Sequence, residues 1–290
     1  MTAIRAFVKS HPVLSFYGLA FTITWGGLLM VVGGPRQILG TPELLGTRFA
    51  LVMLAWLAGP SVASILMTSL IDGRKGLRDL FARMTRWRVG ARWYAVALLT
   101  APLLVTAVLL ALSSSSPEYL PTLLTTSDKE ALLLQGIVGT VVGGIFEELG
   151  WTGFATHTLL RRMRYGVFPT GLIVGVFWGV VHLPLYYWQD ADLSGALLPA
   201  VLAANVLAWF PPYRVLMVWV YERTGSLLVA MLMHGSATGS LVILASLVPG
   251  WPLFTFLLAF GAVLWVVVGA VALAQGGHLT PRPPLRRRAT

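Results

Sequence analysis

The chain contains no cysteine. That absence removes disulfide bonds, thiolate metal sites and a cysteine nucleophile together, and no disulfide-linked partner is expected. Charge is scarce too: 11% of the residues are Asp, Glu, Lys or Arg, against about 25% in a soluble domain. Acids are fewer than bases, 11 against 21. No internal repeat and no separate soluble domain stands out, and the longest polar stretches run to about 20 residues. A water-facing globule cannot be clothed from this supply.

What the chain has instead is apolar length. Hydrophobic residues make up 57% of it, and its mean hydropathy is +0.78. A helix needs about 20 apolar residues to cross the hydrocarbon layer. Eight runs qualify, near 13–33, 48–71, 92–112, 131–158, 167–188, 197–222, 226–248 and 251–274. The expected fold is therefore all-α, a polytopic bundle of about eight transmembrane helices forming one integral membrane domain over 1–290. The first run is too long for a signal-peptide core and lacks a small-x-small cleavage site before "GGPRQ", so it reads as an uncleaved helix.

The formal charge of +10 does not point to nucleic acid, because of where the bases lie. With both termini on the cytoplasmic side, 18 of the 21 Lys and Arg fall in cytoplasmic segments, as the positive-inside bias requires. That assignment puts Arg214 and Arg223 in one such segment and leaves Arg36, Arg48 and Lys129 outside. The basic tail over 276–290, ending "PRPPLRRRAT", reads as a disordered topology signal near anionic lipid. In "DGRKGLRDLFARMTRWRVGARW", Leu77, Leu80, Phe81 and Met84 recur at helical spacing against Arg74, Arg78 and Arg83. That pattern suits a cytoplasmic amphipathic helix, lying in the interface or packed on its own bundle. Ser127, with Glu130 three residues on, is the expected cap of the fourth span.

With the loops assigned, four ionisable residues remain at membrane depth: Glu147, Glu148, His182 and His234. Such residues are costly in hydrocarbon and are functional candidates by default. Glu147 lies 14 residues from Arg161, about 21 Å; His182 lies 15 from Val167, about 22 Å; His234 lies 11 from Arg223, about 16 Å. The three can share one layer. Residues four apart share a helix face, which sets Trp178 beside His182, Thr152 beside Glu148 and Thr238 beside His234. Glu147 and Glu148 point about 100° apart and so should play different parts. Gly143, Gly144, Gly150, Gly153, Gly175, Gly179, Gly235 and Gly239 allow close helix approach nearby.

A carboxylate and an imidazole can together deprotonate water while a second imidazole donates to an oxyanion. Glu147, His182 and His234 could equally ligate a divalent metal such as zinc. Both arrangements describe hydrolysis of a carbonyl by activated water. A proton-coupled carrier using the carboxylates as a relay is the competing reading, and the missing inverted repeat argues against it. Ser236 neighbours His234 in sequence but not on the helix face, so packing is expected of it.

Three stretches resemble the motifs of the CPBP family of intramembrane proteases, which includes CAAX prenyl endopeptidases and Abi-like bacteriocin-processing proteins. They are "EELGWTGFA", "VFWGVVHLPLYY" and "YERTGSLLVAMLMHGSATGS", within a similar region of about 55–240. "GPSVASILMTSLIDGRKGLRDLFARMTRWRVGARWY" is similar to the matching stretch of bacterial members, implying a bacterial cell membrane. The resemblance implies peptide-bond hydrolysis in a membrane-embedded cavity, on a peptide or membrane-protein substrate within the lipid bilayer. It gives Glu147 and His182 the activation of water, His234 the oxyanion, and Glu148 a supporting part. Two departures stand out. Thr152 replaces the family's usual Arg four residues after the second Glu, and Thr238 replaces the Asn four residues after the last His. With no cation seen to replace the Arg, Glu148 is expected to be protonated or bonded to Thr152. A catalytically silent member, binding partners or conferring toxin immunity, is the alternative within the family.

Overall fold

The computed structural model describes residues 3–34, 42–190, 192–246, 249–277 and 279. Arg36 and nearly all of the basic tail expected over 276–290 lie outside them. Among the described residues the chain is helical, with no strand. It begins with α1 (Ala3–Ser10) and α2 (Pro12–Val32), then α3 (Pro42–Met84) and α4 (Ala91–Ser113). The span α5 (Lys129–Gly150) runs on through a π-helical turn, Trp151–Thr156, to Arg161. Next come α6 (Val167–Val181), α7 (Leu183–Gln189) and α8 (Leu197–Ala204). A second π-helical turn, Asn205–Trp209, joins α8 to α9 (Phe210–Thr224), and α10 (Leu227–Leu244) and α11 (Trp251–Ala274) complete the bundle.

Seven described helices are long and apolar enough to cross a bilayer, and the chain is an integral membrane protein. The remaining expected run, 167–188, is not one helix. Its first part is the 15-residue α6, and the chain breaks at His182 before α7. Pro184 explains the break: it has no N–H to donate and its ring crowds the carbonyl four residues back. The Trp25 indole donates to the Val181 carbonyl at 3.1 Å, securing the end of α6. A proline thus places His182 at a helix terminus deep in the bundle.

The second π-helical turn has a similar origin. Pro211 and Pro212 cannot donate backward, so the ladder between α8 and α9 is re-registered just ahead of them. Close approach then fixes the walls. A Cβ added to Gly144 would lie 2.6 Å from the Met231 carbonyl oxygen, so only glycine lets α5 lie this near α10. Gly175 does the same where α6 meets Pro211, with 2.6 Å to its Cα.

One end of the bundle gathers the arginines. Arg161 pairs with Glu222 at 2.8 Å, Arg162 with Asp72, and Arg223 donates to Gln275. The amphipathic stretch lies at this end, turned off its span at Gly73, whose φ of 62° suits glycine. It packs on its own bundle: Leu80 is buried against Leu227 and Met231. Arg83 donates to the Gly153 carbonyl, within the first π-helical turn, and to the Tyr221 hydroxyl, both at 2.9 Å. At the opposite end Asp128, rather than Ser127, caps α5, accepting from the Ala131 N–H at 2.9 Å. The chain there adopts its cap geometry one residue later than expected.

Candidate active site

Glu147 and Glu148 are buried on the last turn of α5, and the 100° between them sends each to a different neighbourhood. Glu147 Oε2 accepts from two indoles, Trp151 and Trp178, each at 3.0 Å. That leaves Oε1 facing His182 Nε2 across 4.0 Å. His182 Nδ1 lies 2.7 Å from the Trp178 carbonyl. A carbonyl only accepts, so Nδ1 carries the hydrogen and Nε2 presents a lone pair toward Glu147 in the neutral ring. A separation of 4.0 Å exceeds a direct hydrogen bond but suits one bridging water.

Glu148 is enclosed completely and Arg214 with it; both side chains are 0% exposed. The guanidinium grips the carboxylate with two bonds, Nη2 to Oε1 at 2.8 Å and Nη1 to Oε2 at 2.9 Å. Thr152 also donates to Oε2, and Arg214 Nη1 lies 3.3 Å from the Thr152 hydroxyl oxygen. The guanidinium carbon sits 4.1 Å from the centroid of the Trp178 ring, a cation–π contact.

These contacts overturn two expectations. Arg214 does not lie in a cytoplasmic segment: it is ten residues inside the end of α9, about 15 Å in. Nor does Glu148 lack a cation. Thr152 bonds to it as expected, but the charge lost at position 152 is supplied across space from α9. Such a bidentate pair favours an ionised carboxylate.

His234 Nδ1 lies 2.7 Å from Glu148 Oε1, so it donates to that carboxylate and its other nitrogen is free for the cavity. The Trp178 ring lies 4.8 Å from the His234 ring, centroid to centroid. The structure thus brings Glu147, Glu148, His182, His234, Thr152 and Trp178 together. Thr238 lines the same cavity, but its hydroxyl turns back to the His234 carbonyl at 3.3 Å. Ser236 donates to the Leu98 carbonyl on α4, away from the site.

A cavity of about 430 Å³ opens beside Glu147, His182 and His234. It leads away from the arginine-rich end. Thr238, Leu241, Val242 and Ala245 of α10 and its C-terminal flank line one wall toward the far end, and Tyr186 of α7 and Asp190 just after it also line the cavity. Among the described residues no group of three His, Cys, Asp or Glu side chains is arranged to hold a metal ion. Glu147 Oε2 accepts from two indoles, so Oε1 is the carboxylate oxygen left for water or an ion, beside the Nε2 atoms of His182 and His234.

Three residues escaped the sequence reading. Arg214 was assigned to a loop, although it lies within the run 197–222. Trp151 is four residues after Glu147, and the same i, i+4 rule that paired Glu148 with Thr152 would have found it. Asn205 also lines the cavity; it is a neutral amide inside an apolar run, and its polarity there is the signal that marks it.

Residues 129–240, which contain every residue of this site, match the family model described as type II CAAX prenyl endopeptidase Rce1-like. The chain is also similar to CAAX prenyl protease 2 of Methanococcus maripaludis. Identity is 22% over 244 residues, covering 78% of this chain and 82% of that protein.

Proposed function

Because this chain belongs to the CAAX-protease (CPBP) family and is a protease, we propose that Glu147 and His182 activate the water that hydrolyses a peptide bond. The observation carrying this reading is the 4.0 Å gap between Glu147 Oε1 and His182 Nε2 at the cavity wall. Each group is held from behind, one by two indoles and the other by a backbone carbonyl. A water placed between them donates one hydrogen to each and keeps a lone pair for the substrate carbonyl. Glu147 takes the proton as the new C–O bond forms. His234 Nε2, protonated, donates to the oxyanion, with ionised Glu148 as counter-charge to its ring. When the C–N bond breaks, the proton held by Glu147 passes to the leaving amine.

Charge balance supports these assignments. Glu148 and Arg214 cancel, and Glu147 cancels a protonated His234, so the buried site is neutral overall. A low-dielectric interior favours that balance. The scheme routes no step through a metal.

Orientation follows from the arginines. Arg161, Arg162 and Arg223 share one end with the 74–92 stretch, and the ion pairs above tie that end together. The positive-inside bias makes it cytoplasmic. The ends of the chain near Lys9 and Gln275 lie there, and the cavity opens toward the other side.

Glu147→Gln keeps the size of the side chain but cannot take the proton. Cleavage by this variant, or by His182→Ala, should fall by about 100- to 10,000-fold, the range for a lost general base. The helical circular dichroism and elution volume should not change. Wild-type cleavage in either variant would refute the reading.

A further inference from the structure

The cavity carries a second acidic side chain that water activation does not use. Asp190 follows α7, is 2% exposed, and lines the cavity. Its Oδ1 has no hydrogen-bond partner. An unpartnered buried carboxylate oxygen is expensive to keep, and no hydrogen bond or ion pair to this side chain offsets the cost among the described residues.

The surroundings show what would complete it. Among the described residues no Lys or Arg lines the cavity, whereas Glu147 and Asp190 both do. Of the described arginines, Arg214 is committed to Glu148, and Arg161, Arg162 and Arg223 lie at the opposite end of the bundle. With Glu147 offset by protonated His234 in the scheme above, Asp190 is the acidic side chain of the described lining left without a counter-charge. Such a buried carboxylate attracts a cation and repels an anion. Burial also pushes the Asp190 carboxyl up to about 6, as expected of an acid waiting for its counter-charge.

We infer that Asp190 is a substrate subsite for a cationic group, the side chain of Lys or Arg or a free amine, carried by the peptide at a fixed spacing from the bond that is cut. This rests on the protease reading and narrows it. Segments that place a positive charge at Asp190 are favoured over those that place a neutral or acidic side chain there. Asp190 binds; it does not touch the reacting atoms.

The test uses a mixed library of peptides, acetylated and amidated at their ends, in which one lysine is walked along a neutral sequence. Matched members carry norleucine or glutamate instead. Purified wild-type protein and Asp190→Asn digest the mixture in detergent, and products are identified by mass spectrometry. In parallel, Glu147→Gln and the double variant Glu147→Gln, Asp190→Asn are used to retain peptides without cutting them. Wild type should enrich lysine at one spacing at least fivefold over norleucine, with glutamate depleted. Asp190→Asn should bring lysine and norleucine peptides within twofold of each other.

Equal cutting of lysine and norleucine peptides by wild type, or a preference unchanged in Asp190→Asn, would overturn the subsite. If no peptide is cut, retention decides alone. A lysine preference on the Glu147→Gln protein that the second substitution removes would support the subsite while the protease reading fails. Equal retention would overturn the subsite.

Discussion

Arg214→Leu is the sharpest perturbation of this site. It removes a cation fully enclosed beside Glu148 and leaves an apolar side chain in its place. At 2.8 Å two unit charges attract by about 6 kcal/mol at an effective dielectric of about 20. The desolvation of both groups offsets part of that. Breaking one half of a buried pair nonetheless costs about 3–5 kcal/mol, because the surviving charge is left unpaired. For a chain of this size that corresponds to a fall in Tm of roughly 6–20 °C, read by thermal denaturation in detergent. The companion Glu148→Gln, Arg214→Leu should recover much of the loss, since neither charge then remains. A third variant separates stability from placement: Thr152→Arg in the Arg214→Leu background returns a cation to the position four residues after Glu148. It should restore both Tm and cleavage in part. If Arg214→Leu melts within about 2 °C of wild type, or if the double neutral variant is no better than the single one, Glu148 does not depend on this cation and the charge assignment fails.

Three further outcomes are expected. The chain lacks cysteine, so single cysteines report orientation directly. Ser246→Cys, at the cavity end, should react with a membrane-impermeant maleimide from outside intact cells, and Arg88→Cys only after lysis; the reverse pattern would refute the orientation. Dialysis against a zinc chelator should leave cleavage within about twofold of the untreated protein, because the scheme routes no step through an ion; loss restored by added zinc would overturn the glutamate–histidine scheme. Gly144→Ala should destabilise by about 1–3 kcal/mol, as overpacking does, since the new methyl would meet the Met231 carbonyl oxygen at 2.6 Å and the Gly235 nitrogen at 3.1 Å. A neutral effect on Tm would mean that α5 and α10 can separate at no cost.

What could be read from the sequence follows from which interactions are local. Membrane spans are long-window properties, so seven of the eight expected runs correspond to membrane-length helices and only the proline-broken 167–188 does not. Pairs four apart on a helix were also legible: Thr152 on Glu148, and by the same rule Trp151 on Glu147. Depth counting put Glu147, His182 and His234 in one layer, and the 4.0 Å and 2.7 Å separations from the two glutamates agree with it. Arg214 was not legible in this way. Its partner is 66 positions away, and no periodicity links α9 to α5. The missing arginine at 152 did carry a physical demand, however. A buried, ionised Glu148 needs a counter-charge wherever the fold can supply one, and an arginine in the middle of an apolar run is costly unless it answers such a demand. Taken together, an acid without its usual base and a base without a visible acid form one statement. The cation that balances Glu148 stands on α9, the helix that faces the glutamates, and not on the helix that carries them, and the same carboxylate holds His234.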